Sequence, residues 1–229
     1  MFKSRIFSEV VNFVKEGIAP SRCAGCGVVG SWLCESCAGE ILWLRQQNCY
    51  RCGRLTDGGR TCDNCRRRGA LTGVVVAAHF EMGPVRELVH QFKYNGAIEL
   101  APILGEMLAL AARDNNLSGA VVPVPLHRKR QRDRGFNQAE LLAKHVAGHL
   151  GLPYCNILRR VKPTITQTEL SRPDRMLNVS NAFICAGSAP KEIILIDDVM
   201  TTGATLQECA KVLRGAGVKK VQGLVVARG

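Results

Sequence analysis

The chain has 229 residues, 46% apolar and 22% charged. That is a globular composition, which argues against a disordered polymer, and no stretch reaches the ~18 apolar residues of a membrane helix. Thirty-one Lys and Arg against nineteen Asp and Glu leave a formal charge of +12, which favours partners bearing phosphate, either nucleic acid or a phosphorylated small molecule.

In chain order, Phe2, Ile6, Phe7, Val10, Phe13 and Val14 predict an amphipathic helix within a leading segment, residues 1–19. Arg5, Glu9 and Lys15 interrupt any signal-peptide core, so a cytoplasmic chain with free thiols is expected. Residues 20–69 are rich in Cys, Gly and Arg and hold too few apolar side chains for a core of their own, so they need a staple. From residue 70 to 229 the pattern turns to alternating strands and helices. Strands are predicted at Thr72–Phe80, Ala120–Val124, Glu192–Ile196 and Val221–Ala227, and helices at Pro84–Tyr94, Pro102–Arg113, Asn137–Leu150 and Ala204–Arg214. The segment Leu158–Ile184 reads as a strand, a long loop and a second strand. The fold class is α/β, a parallel sheet covered by helices on both faces.

Eight of the eleven cysteines form four pairs, Cys23/Cys26, Cys34/Cys37, Cys49/Cys52 and Cys62/Cys65, each with a two-residue gap. Such a gap lets both sulfurs of a tight turn face one ion, with Gly25, Gly27 and Gly53 supplying turn freedom. Two four-thiolate Zn2+ sites are expected, most simply paired in order, with interleaved pairing open and an iron–sulfur cluster as the rival occupant. A closed four-thiolate site has no position for water, so such zinc is structural. Arg45, Arg51, Arg54, Arg60, Arg66, Arg67 and Arg68 lie in this module beside Trp32, Trp43 and Tyr50. Arginines with aromatics suit single-stranded DNA, with phosphates held and bases stacked, and the Arg66–Arg68 run is its candidate contact. Alternatively the aromatics form the module's small core and the arginines are solvated.

A second stretch carries small-molecule chemistry. The apolar strand from Glu192 ends in Asp197 and Asp198, and Val199, Met200, Thr201, Thr202, Gly203, Ala204 and Thr205 then open a helix. The backbone N–H groups of such a loop make an anion site. Two adjacent acids there call for sugar hydroxyls or Mg2+ as partners. A basic run, His127, Arg128, Lys129, Arg130, Arg132 and Arg134, lies between a strand and a helix and reads as a ligand loop.

The acid–threonine stretch resembles the 5-phosphoribosyl 1-diphosphate (PRPP) motif of type I phosphoribosyltransferases. The resemblance implies that Asp197 and Asp198 hold the ribose hydroxyls, that Thr201 to Thr205 cradle the 5-phosphate, and that Leu126, His127, Arg128, Lys129 and Arg130 bind pyrophosphate. It implies pentosyl transfer from PRPP with Mg2+, for which Asp197, Asp198 and Arg128 are the catalytic candidates. Taken with the cysteine module and with Gln167, Leu170, Arg175 and Asn178, the whole order resembles the ComF family of competence-associated proteins, including its GntX-like members. That resemblance implies a role in DNA uptake or use of external DNA, with uptake-machinery proteins as partners. A transferase with an unknown acceptor, or a nucleic-acid-binding adaptor with a sensory or vestigial PRPP site, would both fit. By the same resemblance Gln167, Arg172 and Arg175 lie where type I enzymes carry a loop that closes over PRPP, with an ordinary β-hairpin tip as the alternative. His79, His90, His145 and His149 read as structural or exposed, and Cys155, Cys185 and Cys209 as buried small apolar residues.

Overall fold

The computed structural model describes residues 20–162 and 179–229. The expected leading helix and the loop of Gln167, Arg172 and Arg175 lie outside these residues. Strands β1 (Gly73–His79), β2 (Ala120–Pro123), β5 (Glu192–Met200) and β6 (Lys220–Arg228) form one parallel sheet in the order β1-β6-β5-β2. Leu195 sits opposite Val122 on one side and Gly223 on the other. Two short strands, β3 (Leu158–Arg160) and β4 (Phe183–Cys185), pair antiparallel as a separate ribbon.

Strand alternation divides the core. Val75, Ala77, Val121, Ile194, Ile196, Leu224 and Val226 face helices α3 (Val85–Tyr94), α4 (Ala101–Asp114) and α6 (Gln138–Leu150). Val74, Val76, Val122, Ile193, Leu195, Val221 and Val225 face α7 (Ala204–Gly215), β3 and β4. Apolar residues on both faces make these strands read as continuous hydrophobic runs.

The cysteine region repeats one plan twice. In the first half the N–H of Gly27 returns to the carbonyl of Cys23 at 2.8 Å, and in the second that of Gly53 returns to Cys49 at 2.9 Å. Cys34 and Cys62 precede the short helices α1 (Glu35–Gly39) and α2 (Asp63–Arg66), which carry the fourth cysteine of each set. Gly27 and Gly53 have φ near +76° and +75°, as the turn reading requires, but Gly25 does not. A Cβ there would sit 2.5 Å from Cys37 Sγ, so Gly25 gives room rather than freedom.

The region does not fold around a core of its own. It lies along β1, the edge strand of the sheet: Leu44 N–H donates to the carbonyl of Ala77 at 2.9 Å, and His79 N–H to that of Leu42 at 3.0 Å. Next along the strand the buried Gln47 side chain donates to the carbonyl of Val76 at 2.9 Å and accepts its N–H at 3.0 Å. One amide thus completes the ladder and removes an exposed sheet edge. Ile41 joins the core on one face of the sheet, and Tyr50 and Leu71 join it on the other.

Two elements differ from expectation. Strand β5 runs four residues past Ile196, through both acids to Met200, because β6 continues beside it and pairs Asp197 with Val225 and Met200 with Arg228. The basic stretch is a helix, α5 (Arg128–Arg134), rather than a loop. A run with no apolar residue has no hydrophobic period to announce a helix.

Candidate functional site

The eight thiols fall into two sets in chain order, Cys23, Cys26, Cys34 and Cys37, and Cys49, Cys52, Cys62 and Cys65, and within each set the sulfurs all lie within 4.8 Å of one another. Interleaved pairing is thereby excluded. Sulfurs bound at 2.3 Å around a tetrahedral ion stand about 3.8 Å apart; Cys23 and Cys34 stand at 3.6 Å, Cys26 and Cys34 at 3.7 Å, and Cys52 and Cys62 at 3.6 Å. The donor set fits one ion per site, whereas an iron–sulfur cluster would spread its thiolates over several irons. All of these cysteines are free of disulfides.

The second site lies at the carboxyl ends of β2 and β5, where open parallel sheets receive their ligands. Strand alternation sends the two acids to opposite faces. Asp198, buried, meets Lys93 Nζ of α3 at 2.9 Å and accepts the N–H of Val199 at 2.6 Å. Asp197 accepts the N–H of Asp198 at 2.9 Å. Burial first, and the charge of Asp198 second, push the Asp197 carboxyl up to about 7, against the opposing pull of Lys93 and Arg160. Past the strand, Thr202 Oγ1 accepts the N–H of Ala204 at 3.3 Å. Gly203, at φ +77°, turns the chain into α7 in the left-handed region that side chains avoid.

The facing wall is basic. On α5 the helical period splits the arginines: Arg130 and Arg134 line the cleft with Asp197 and Asp198, while Arg128 and Arg132 line a separate outer groove. Arg134 stacks over the Tyr94 ring at 5.2 Å and donates to Gln138 Oε1 at 3.2 Å. Arg160 enters from β3. The cleft holds about 180 Å³. The Gln138 amide borders it, only 2% exposed, and its Nε2 has no hydrogen-bond partner among the described residues. A buried donor left unsatisfied costs about 1–3 kcal/mol, and an acceptor atom in the cleft would relieve that cost.

Of the expected site residues, Leu126, Arg130, Asp197, Asp198, Val199, Thr201 and Thr205 border the cleft. Met200 and Gly203 are buried behind it, Arg128 is exposed on the outer groove, and the Lys129 side chain lies outside the described residues. Arg134, part of the basic run read as a ligand loop, does line the cleft, whereas sequence reasoning missed Lys93, Tyr94, Gln138 and Arg160 as wall residues. Lys93 reads as an ordinary basic residue in the last turn of an amphipathic helix, and nothing in its neighbours marks the acid it meets. The three later cysteines divide: Cys209 is fully buried, while Cys155 and Cys185 are half-buried. Among the described residues, no group of three or more His, Cys, Asp or Glu side chains other than the two thiol sets could hold a metal.

The titration of Asp197 has a consequence for stability. Between its ordinary 3.8 and about 7 the folded chain keeps a proton that the unfolded chain releases, so this group lowers stability as pH rises through that window. Asp197→Asn should therefore raise Tm at pH 8, by roughly 3 °C or more if a kcal/mol is recovered, given about 2–4 °C per kcal/mol at this size. The gain should vanish below pH 4. Thermal unfolding at both pH values checks it, and an equal shift at the two would refute the assignment.

A double metal ribbon leading into a phosphoribosyltransferase sheet is the class these elements define. A double zinc ribbon domain model matches residues 15–66, and a phosphoribosyl transferase domain model matches residues 137–229. Over 224 residues the chain is 35% identical to Competence protein F of Haemophilus influenzae, covering 90% of this chain and 96% of the relative. It is 33% identical to DNA utilization protein YhgH of Salmonella typhi (83% and 87%) and 29% identical to Competence protein ComFC of Streptococcus pneumoniae (86% and 88%). The chain belongs to the competence protein F (ComF) family. Among solved structures it is similar to glutamine PRPP amidotransferase from B. subtilis (21% identical, TM-score 0.36, covering 54% of this chain and 25% of that one). It is also similar to TT1426 from Thermus thermophilus (18%, TM-score 0.33, covering 56% and 81%). No helix of the described residues is long and apolar enough to cross a membrane.

Proposed function

We propose that this chain is a zinc-stapled PRPP-binding protein that acts on or alongside DNA taken up by the cell, a reading supported by relatives named a competence protein and a DNA utilization protein. The observation that carries the PRPP reading is the cleft itself. It sets Asp197, Asp198, Thr201 and Thr205 against Lys93, Arg130, Arg134 and Arg160, together with the Gln138 Nε2 donor, which has no partner among the described residues. The acids hold ribose hydroxyls, the loop Thr201 to Thr205 and the start of α7 take the 5-phosphate, and Arg130 and Arg134 take the pyrophosphate. Arg128, which faces the outer groove, is a poor catalytic candidate beside them. Asp197 and Asp198 are the hard oxygen donors that Mg2+ carried by PRPP would meet, and its charge would there offset that of the pyrophosphate. The basic wall stabilises the charge that develops as the C1–oxygen bond to pyrophosphate breaks. The acceptor for the pentosyl group is the remaining variable. If none exists, the cleft serves as a PRPP sensor in an adaptor.

Calorimetric titration with PRPP and Mg2+ tests the reading. Asp198→Asn should weaken binding by about 1.5–3 kcal/mol, the value of a charge-assisted hydrogen bond. Affinity unchanged in the variant would leave the acid outside the ligand site.

The second part of the proposal is single-stranded DNA. Arg66, Arg67 and Arg68 are all exposed, and among the described residues only Arg66 meets an acid, Asp63, at 3.6 Å. The base-stacking platform is narrower than expected, since Tyr50 is 4% exposed and cannot receive a base, while Trp43 is 38% exposed beside Arg45. Changing Arg66, Arg67 and Arg68 together to Ala should lower affinity for a short single strand and flatten its salt dependence, because each lost phosphate contact removes counterion release. Fluorescence anisotropy over a salt series reads both. Wild-type behaviour of the triple variant would make this run a solvated surface.

A further inference from the structure

Three consecutive residues of the second ribbon reach three different places. Cys49, fully buried, belongs to the second thiol set. Tyr50 leaves the ribbon and donates its hydroxyl to Gln207 Oε1 of α7 at 2.9 Å. Arg51 turns back and donates to the carbonyl of Arg68 at 2.6 Å and, more weakly, to that of Cys65 at 3.5 Å, which closes the segment carrying the fourth thiol.

Tyr50 also lies against the anion loop. A Cβ on Gly203 would stand 3.2 Å from Tyr50 Cδ2 and 3.4 Å from Cε2, so the ring packs on the loop at its left-handed residue. Gln207 lies in the first turn of α7, its N–H bonded to the carbonyl of Gly203 at 2.9 Å, and its Oε1 also takes the N–H of Leu71 at 3.4 Å. Gly69 allows the closure, since a Cβ there would come within 3.2 Å of both the Tyr50 hydroxyl and Gln207 Oε1. Among the described residues the first thiol set has no such link to the anion loop. Its neighbours Ala24, Trp32 and Leu33 pack on the other face of the sheet.

We propose that the second thiol set and the phosphate loop form one coupled unit, with Tyr50 as the positioning residue. An ion held by Cys49, Cys52, Cys62 and Cys65 orders the knuckle that carries Tyr50. Tyr50 in turn holds Gly203 and Gln207, and therefore the backbone N–H groups that face an anion. Coupling between two binding sites is reciprocal, so an anion on the loop retains the ion. The proposal deepens the PRPP reading and rests on it for the second half of its test.

Amide hydrogen exchange of the full chain reads the first half without any ligand. Cys62→Ser should lose one of two metal equivalents and speed exchange in residues 201–207 by roughly fivefold or more, as local opening becomes easier. Cys26→Ser, which also loses one equivalent, should leave those amides at the wild-type rate. Tyr50→Phe keeps the ring and both ions and should speed the same amides by about two- to tenfold, the effect of one hydrogen bond. In the second half, Mg2+ with PRPP should slow metal transfer to a chromophoric chelator from the second set in wild type, and less so in Tyr50→Phe. The Cys26→Ser chain identifies which kinetic phase belongs to that set. Wild-type exchange at 201–207 in both Cys62→Ser and Tyr50→Phe overturns the coupling. A rise in both, with no heat from PRPP, sustains the coupling and overturns the PRPP reading instead.

Discussion

Protein purified without added metal should carry about two Zn2+ per chain, and stripping them should damage the sheet as well as the ribbons. The count follows from two separate four-thiol sets, each with room for one ion. The size of the effect follows from what the ribbon lacks. Its residues bury little among themselves, so the thiolate bonds, worth about 10–16 kcal/mol for a structural zinc in small peptides, replace a core. The damage spreads because the ribbon completes the fold elsewhere. Gln47 satisfies the Val76 backbone, Leu44 and Leu42 pair with β1, and Tyr50 and Leu71 lie in the core beside Val74 and Val76. A cysteine substitution in the second set therefore loosens β1 and is not confined to the ribbon. Elemental analysis and exchange protection at residues 73–79 are the measurements. One equivalent of metal, or full protection of β1 after chelation, would contradict the arrangement.

Lys93→Met should destabilise the chain by about 3 kcal/mol, since removing one partner of a buried ion pair strands the other charge. Lys93 Nζ lies 2.9 Å from Asp198 Oδ1, and the two side chains are only 19% and 10% exposed. Burial alone would lower the Lys93 ammonium, but Asp198, helped by Asp197, more than offsets it, and the group is held above its ordinary value. At this chain length the loss corresponds to a fall in Tm of roughly 6–12 °C. The double variant Lys93→Met with Asp198→Asn should recover most of it, because two neutral side chains leave no orphaned charge. Calorimetric scans of the three variants close the cycle. If Lys93→Met melts with the wild type, the pair contributes nothing and the acid is compensated elsewhere. The same substitution should also weaken PRPP, as Lys93 is one of the cleft's positive charges.

The amino-acid sequence alone determined the chemistry that depends on short spacing. Two-residue gaps between cysteines can only make thiol turns, and an apolar run ending in Asp197 and Asp198 before Thr201 to Thr205 can only deliver acids and N–H donors to a strand end. The α/β class was legible for the same reason, since hydrophobic period survives in local sequence. Tertiary structure decided what depends on distance in space. It paired the thiol sets in order. It turned the basic run into a helix whose period sends Arg130 and Arg134 inward and Arg128 outward, and it brought Lys93 from an unremarkable helix end onto Asp198. It also took Tyr50 from the expected DNA-stacking group into the core, 157 residues along the chain from its partner Gln207. Contacts of that separation leave no periodic trace in sequence, because either residue could satisfy its local surroundings with many other partners.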